Sequence, residues 1–254
     1  MNVTISTVTP VYRGENYLVD LVGRISLLRE RWESENAPVE IVESIFVDDG
    51  SVDNSAKILR MLAEQHNWVR VITLSRNYGQ HSATVAGVCH THTDWVVTLD
   101  EDLQHDPLMI SKLLSVAVEN CADVIYAWPK SAVHGNTWRD RSSRIVKGFL
   151  SRITDIPQIR HFNSFRLIRG AVARAAASSS SSQTYFDVAL SWFTKTYKVV
   201  DIEMKDGRFL KDNNSGYGLF KLIRHARHLV VSSQVDVASA GLVIGSFAVV
   251  FSVV

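Results

Sequence analysis

Apolar positions along the first hundred residues alternate between two periodicities. Val3 to Val8 is a short β-branched run that reads as a strand, after which Leu18, Leu21, Val22, Ile25 and Leu28 recur at helical spacing. The pattern repeats. Ile41 to Val47 predicts a second buried strand ending in Asp48-Asp49-Gly50-Ser51, and Ile58, Leu59 and Leu62 predict a helix capped by Ser51 or Asp53. Val69 to Leu74 predicts a third strand, and the polar turn Ser75-Arg76-Asn77-Tyr78-Gly79 leads into a helix through Ala83, Ala86 and Gly87. Trp95 to Leu99 predicts a fourth strand, and Pro107 opens the next helix.

Beyond Trp128 the pattern loosens. Ile145, Val146, Phe149, Leu150 and Ile153 form a helical stripe flanked by Arg139, Arg141, Arg144, Lys147 and Arg152. Phe162 to Ile168 is a candidate return to the sheet, and Ser178 to Ser182 reads as a loop. Phe186 to Phe193 reads as a helix and Lys198 to Met204 as a late strand. Leu219, Phe220, Ile223 and Leu229 then define an amphipathic helix carrying Lys221, Arg224 and Arg227.

Strands alternating with helices at this spacing predict an α/β fold: a mostly parallel central sheet flanked by helices. Ligands of such sheets bind at the carboxyl ends of the strands. The polar clusters fall there: Thr9 and Tyr12 after the first strand, Asp48 and Asp49 after the second, Arg76 after the third, Asp100 and Asp102 after the fourth.

Composition changes this picture only locally. The 254-residue chain is 46% hydrophobic and 21% charged, enough for a sizeable core, and with a net charge of +1 nothing overall marks it as a binder of nucleic acid or acidic polymer. Cys89 and Cys121 have neither metal-ligand spacing nor a disulfide framework; they fit a reducing compartment and are expected to be buried. The start of the chain has no pattern of a cleaved leader. From Val237 to Val254 there is no charge, a run of roughly 18 residues at the lower limit for a bilayer-spanning helix. A buried terminal element is the alternative, but a soluble helix this long normally keeps a polar face.

An Asp-x-Asp pair ending a buried strand suits a hard cation, because carboxylates bind Mg²⁺ or Mn²⁺ while substrate phosphates complete the shell. Asp100 and Asp102 form that pair, and Gln104 and His105 add further donors; helix capping is the competing role. Asp48 and Asp49 serve either as a turn or as acids facing a nucleoside. Arg76 either reaches a donor's phosphate or base, or ion-pairs with one of these aspartates.

Taken in order, Thr9-Pro10-Val11-Tyr12 with Glu15-Asn16, Phe46-Val47-Asp48-Asp49-Gly50-Ser51, Arg76-Asn77-Tyr78-Gly79-Gln80-His81-Ser82-Ala83 and Leu99-Asp100-Glu101-Asp102-Leu103-Gln104-His105 resemble family 2 glycosyltransferases. Within them the chain is most similar to polyprenyl-phosphate glycosyltransferases, such as dolichyl-phosphate mannose synthases and undecaprenyl-phosphate sugar transferases. The resemblance implies a GT-A fold, a nucleotide pocket lined by Pro10, Tyr12, Glu15, Asp49 and Arg76, and a metal and donor diphosphate met by Asp100, Asp102 and Gln104. It extends through Ser164-Phe165-Arg166-Leu167-Ile168, which adds Arg166 to the candidate catalytic residues, and through Ser215-Gly216-Tyr217. Two departures stand out. Arg13-Gly14 separates Tyr12 from Glu15, and Asn163-Ser164 stands where many relatives carry an acid.

The implied reaction is inverting transfer from a nucleotide sugar, assisted by Mg²⁺ or Mn²⁺, to a polyprenyl phosphate at the membrane. A phosphate acceptor is already anionic and needs no general base; for a hydroxyl acceptor Asp187 or His161 could serve. The alternatives are a family member that extends a glycan or cell-surface polysaccharide, and a non-catalytic nucleotide-binding scaffold. The basic helix carrying Arg139, Arg141 and Arg144 either catches the acceptor phosphate on an anionic surface or presents a solvated face. The expected organisation is a catalytic domain over 1–215, a juxtamembrane helix over 216–233 and the start of a transmembrane segment over 235–254, with the catalytic domain on the cytoplasmic face.

Overall fold

The computed structural model describes residues 2–129, 159, 161–181 and 184–202. The basic helical stripe from Arg139 to Arg152, the amphipathic helix beginning near Leu219 and the apolar tail from Val237 lie outside these residues. None of the described helices is long and apolar enough to cross a membrane.

The described chain runs β1 (Val3–Val11), α1 (Leu18–Ser34), β2 (Val39–Asp48), α2 (Ser55–Gln65), β3 (Val69–Thr73), α3 (Gln80–Cys89), β4 (Trp95–Thr98), a 3₁₀ turn (Pro107–Met109), α4 (Ile110–Glu119), β5 (Val124–Pro129), β6 (Arg166–Arg169), α5 (Gly170–Ser179), α6 (Phe186–Phe193) and β7 (Tyr197–Ile202). The seven strands form one sheet in the order β3-β2-β1-β4-β6-β5-β7. The α/β expectation holds, with one addition: β6 runs antiparallel to both β4 and β5, while the other pairings are parallel. Periodicity identifies strands but carries no information about their direction.

Alternation along each strand divides the core between two faces. On one, Ile5, Phe46, Val97 and Ile125 pack with Leu21, Leu59 and Leu113 from α1, α2 and α4. On the other, Val8, Val47, Val96 and Tyr126 pack with Ala83, Ala173 and Leu190 from α3, α5 and α6. The close approach of α3 depends on Gly87, where a Cβ would lie 2.4 Å from Val8 Cγ1 and 2.9 Å from Val47 Cγ2.

Several local expectations need correction. Asn54 occupies the N-cap position of α2 without a side-chain capping bond, while Asp53 Oδ1 accepts from Ser55 N at 3.0 Å; Ser51 takes no part. The alanine-rich segment carries α5 as far as Ser179, into the run expected to be a loop. Both cysteines are exposed rather than buried: Cys89 ends α3, and Cys121 takes φ +48° in the turn after α4.

Candidate active site

Parallel pairing places Val11, Asp48 and Thr73 in one row across β1, β2 and β3. Leu99 N donates to Val8 O at 3.1 Å, so Asp100 emerges at the same edge of the sheet. The four polar strand ends therefore converge.

The acids on the β1–β3 side are engaged by backbone. Asp48 and Asp49 are both buried. Asp48 Oδ1 accepts from Ser51 N at 2.9 Å, forming the tight turn expected of Asp-Gly-Ser. Asp49 accepts from Tyr78 N at 2.7 Å and Gly79 N at 2.8 Å, so it shapes the loop after β3. The two loops meet at Gly50 (φ +66°), where a Cβ would stand 2.9 Å from Arg76 C and Asn77 N. Arg76 lies over the Tyr78 ring, 4.8 Å from its centroid, rather than against an aspartate. Its neighbourhood and the Ser75 hydroxyl draw the Tyr78 phenol below its usual pKa, the Ser75 hydrogen bond contributing most.

The middle residue of the acidic motif takes a part the sequence reading missed. Glu101 Oε2 accepts from Tyr12 N at 2.9 Å, and both its oxygens approach Arg13 N, at 3.2 and 3.3 Å. Gly14 N donates to Ser55 Oγ at 2.9 Å, and Glu15 Oε2 accepts from Asn54 N and Nδ2 at 3.0 and 2.9 Å. The extra residues Arg13-Gly14 are thus tied down between Glu101 and the start of α2. An acid between two aspartates was the available signal, but nothing local told which backbone it would meet.

The β4–β6 side is built from side chains. Because β6 is antiparallel, Thr98 pairs with Arg166, and the residues before β6 arrive beside the carboxyl end of β4. Ser164 Oγ donates to Asp100 Oδ2 at 2.6 Å, and Gln80 Nε2 donates to Oδ1 at 2.5 Å. Arg166 (3% exposed) ion-pairs with Asp187 (1% exposed), and its Nη1 also donates to Asn163 O at 3.0 Å. Asp187 is therefore not the solvated helix charge that its sequence setting favours. Burial, followed by the charge of Asp187, pushes the Tyr126 phenol well above its ordinary pKa. Between Asp100 and this ion pair lies a cavity of about 270 Å³, lined by Pro10, Gln80, Asn163 and Tyr185 among others.

Asp102 is buried, its Oδ1 accepting from Gln104 N at 3.2 Å across Leu103, which holds φ +56°. A left-handed leucine costs about 1–2 kcal/mol and marks a turn held by its surroundings. His105 (2% exposed) has no hydrogen-bond partner at either ring nitrogen; its Nδ1 lies 3.9 Å from Asp100 Oδ2. Burial lowers its pKa, and Asp100 and Asp102 oppose that shift. Two carboxylates beside an unsatisfied neutral imidazole are a donor set that fits a divalent cation. Among the described residues no three His, Cys, Asp or Glu side chains stand in metal-binding geometry.

Residues 6–177 match the profile of Glycosyl transferase family 2. The chain belongs to this family. It is 32% identical over 228 residues to the undecaprenyl-phosphate 4-deoxy-4-formamido-L-arabinose transferase of Edwardsiella ictaluri, covering 89% of this chain and 66% of that protein. The Serratia proteamaculans transferase of the same name is 33% identical over 221 residues, covering 86% and 64%. The chain thus spans just under two thirds of the length of these relatives. In fold it is similar to glucosyl-3-phosphoglycerate synthase from Mycobacterium tuberculosis, solved with Mn²⁺, uridine diphosphate and phosphoglyceric acid, with a TM-score of 0.63, 17% identity and coverage of 92% and 79%. This family 2 chain has the GT-A architecture.

Proposed function

We propose that this chain is an inverting glycosyltransferase that moves a sugar from a nucleotide-sugar donor to a polyprenyl phosphate at the membrane. The observation that carries the reading is the polar cavity between Asp100 and the Arg166–Asp187 pair, at the strand edge where the nucleotide-side loops converge. Similarity to undecaprenyl-phosphate sugar transferases supports the acceptor class.

In this reading Pro10, Tyr12, Glu15, Asp48, Asp49 and Arg76 frame the nucleotide. Asp49 and Glu15 act mainly by holding loops, which leaves Tyr12 and Arg76 as the side chains that meet the base or phosphates. Asp100 and Asp102, joined by Gln104, would hold Mg²⁺ or Mn²⁺. When bound, such an ion neutralises charge developing on the departing diphosphate. The cavity orients the sugar with its anomeric carbon open to the acceptor and limits access of water. A phosphate acceptor needs no deprotonation, so this reading requires no acid at Asn163-Ser164. Asp187, ion-paired with Arg166, serves to fix that arginine at the back of the cavity. Arg139, Arg141 and Arg144 are assigned to the acceptor phosphate, and the tail from Val237 to membrane attachment, with the catalytic domain over 1–215 on the cytoplasmic face.

The test is incubation with radiolabelled nucleotide sugars and either polyprenyl phosphate or glycan acceptors. Lipid-extractable label is expected. Label confined to glycan would move the chain to polysaccharide extension, and nucleotide binding without product would make it a scaffold.

A further inference from the structure

Asp100 is gripped from two directions. Gln80 Nε2 holds Oδ1 and Ser164 Oγ holds Oδ2. Each carboxylate oxygen accepts at two lone-pair sites, so both keep one for a cation or a substrate hydroxyl. Both donors are neutral, which fixes the carboxylate without cancelling the charge that a cation needs. An arginine or lysine here would cancel it.

The two grips have different origins. Ser164 is anchored within the sheet, its carbonyl accepting from Thr98 Oγ1 at 2.6 Å. Gln80 instead follows directly on the turn whose Tyr78 and Gly79 amides are held by Asp49. A continuous series of contacts therefore runs from Asp49 through residues 78–80 to Asp100. Gln80 is itself exposed, and α3 is held to the sheet by Ala83, Thr84, Gly87 and Val88 instead. Removing its amide leaves the core intact.

We propose that Gln80 is a positioning residue that fixes Asp100 toward the cavity, and that the 78–80 turn couples nucleotide occupancy on the β2–β3 side to cation affinity on the β4 side. This rests on the reading of Asp100 as a cation-binding group. Such coupling is reciprocal: a nucleotide that orders the turn tightens the cation, and the cation tightens the nucleotide by the same factor.

Mn²⁺ binding followed by electron paramagnetic resonance, with and without UDP, tests this on the 254-residue chain. Gln80→Ala is expected to weaken Mn²⁺ by about tenfold, as for partners that orient metal ligands, and to shrink the factor by which UDP tightens Mn²⁺. Its melting temperature should match that of the unaltered chain. Ser164→Ala should weaken Mn²⁺ but keep the UDP effect, and Ser164→Thr, which retains the hydroxyl, should restore affinity. Unaltered Mn²⁺ affinity in Gln80→Ala overturns the positioning role. Weakened Mn²⁺ with an undiminished UDP effect overturns the coupling. If the unaltered chain binds no Mn²⁺ in either condition, the cation reading of Asp100 fails and takes this inference with it, a result distinct from a variant that matches a binding parent.

Discussion

On the β1–β3 side of the cleft, Asp49 and Glu101 point their carboxylates at the backbone amides of neighbouring loops. On the β4–β6 side, Asp100 and Asp187 face side chains: Gln80, Ser164 and Arg166. The first arrangement builds loops and leaves little carboxylate capacity for a ligand. The second leaves a cavity bordered by charge. Acids that look equivalent in the sequence therefore divide into those held by loop amides and those that border the cavity.

The largest expected effect is on the buried pair. Arg166→Ala removes the buried charge partner of Asp187 and should cost about 3–5 kcal/mol in urea unfolding. The double variant Arg166→Met, Asp187→Leu should recover most of that stability while transfer stays lost. If the double variant retains transfer, the β4–β6 pair is structural only and the contrast between the two sides collapses.

Next comes Asp100. Asp100→Asn should lower turnover by about 10²–10³-fold, the scale for losing one preorganised electrostatic group, with little change in unfolding. Parental turnover in this variant or in excess chelator would remove the cation from the mechanism.

Asp49→Ala should show the opposite balance. It leaves the Tyr78 and Gly79 amides without their acceptor, so a stability loss of about 2 kcal/mol is expected, with donor affinity falling only as the loop loosens. A large affinity loss at unchanged stability would make Asp49 a ligand-binding acid like Asp100. Arg76→Ala sharpens the same side: exposed and packed on Tyr78, it should change stability by no more than about 0.5 kcal/mol while weakening donor binding in calorimetry.

The smallest effect is expected at the far end of the sheet, where Asp123 accepts from Arg169, Thr194 and Thr196. Burial alone would raise its pKa, but these donors outweigh it and hold the carboxyl below its usual range. Because the folded pKa is depressed, the stabilisation is present above the unfolded value near 3.9 and is lost as pH falls through the folded one. Asp123→Asn should thus be modestly less stable at pH 7 and converge with the parent in acid, with turnover unchanged. A turnover loss would show that loop-holding carboxylates matter wherever they lie.

Much of this architecture was legible in the sequence. The strand and helix alternation through α4 follows from periodicities within ten-residue windows, and the polar clusters were correctly placed at strand ends because parallel α/β packing leaves that edge open. Family membership followed from the order of four short motifs. Those are properties of neighbours along the chain. Tertiary structure alone decided the direction of β6, which brings Ser164 to an aspartate 64 residues away, the burial of Asp187 against Arg166, the engagement of Glu101 by the β1 loop and the exposure of both cysteines. A carboxylate, hydroxyl or thiol can satisfy itself in several ways at similar cost, so its partner is chosen by whichever element packing delivers to it, and no local pattern encodes that choice.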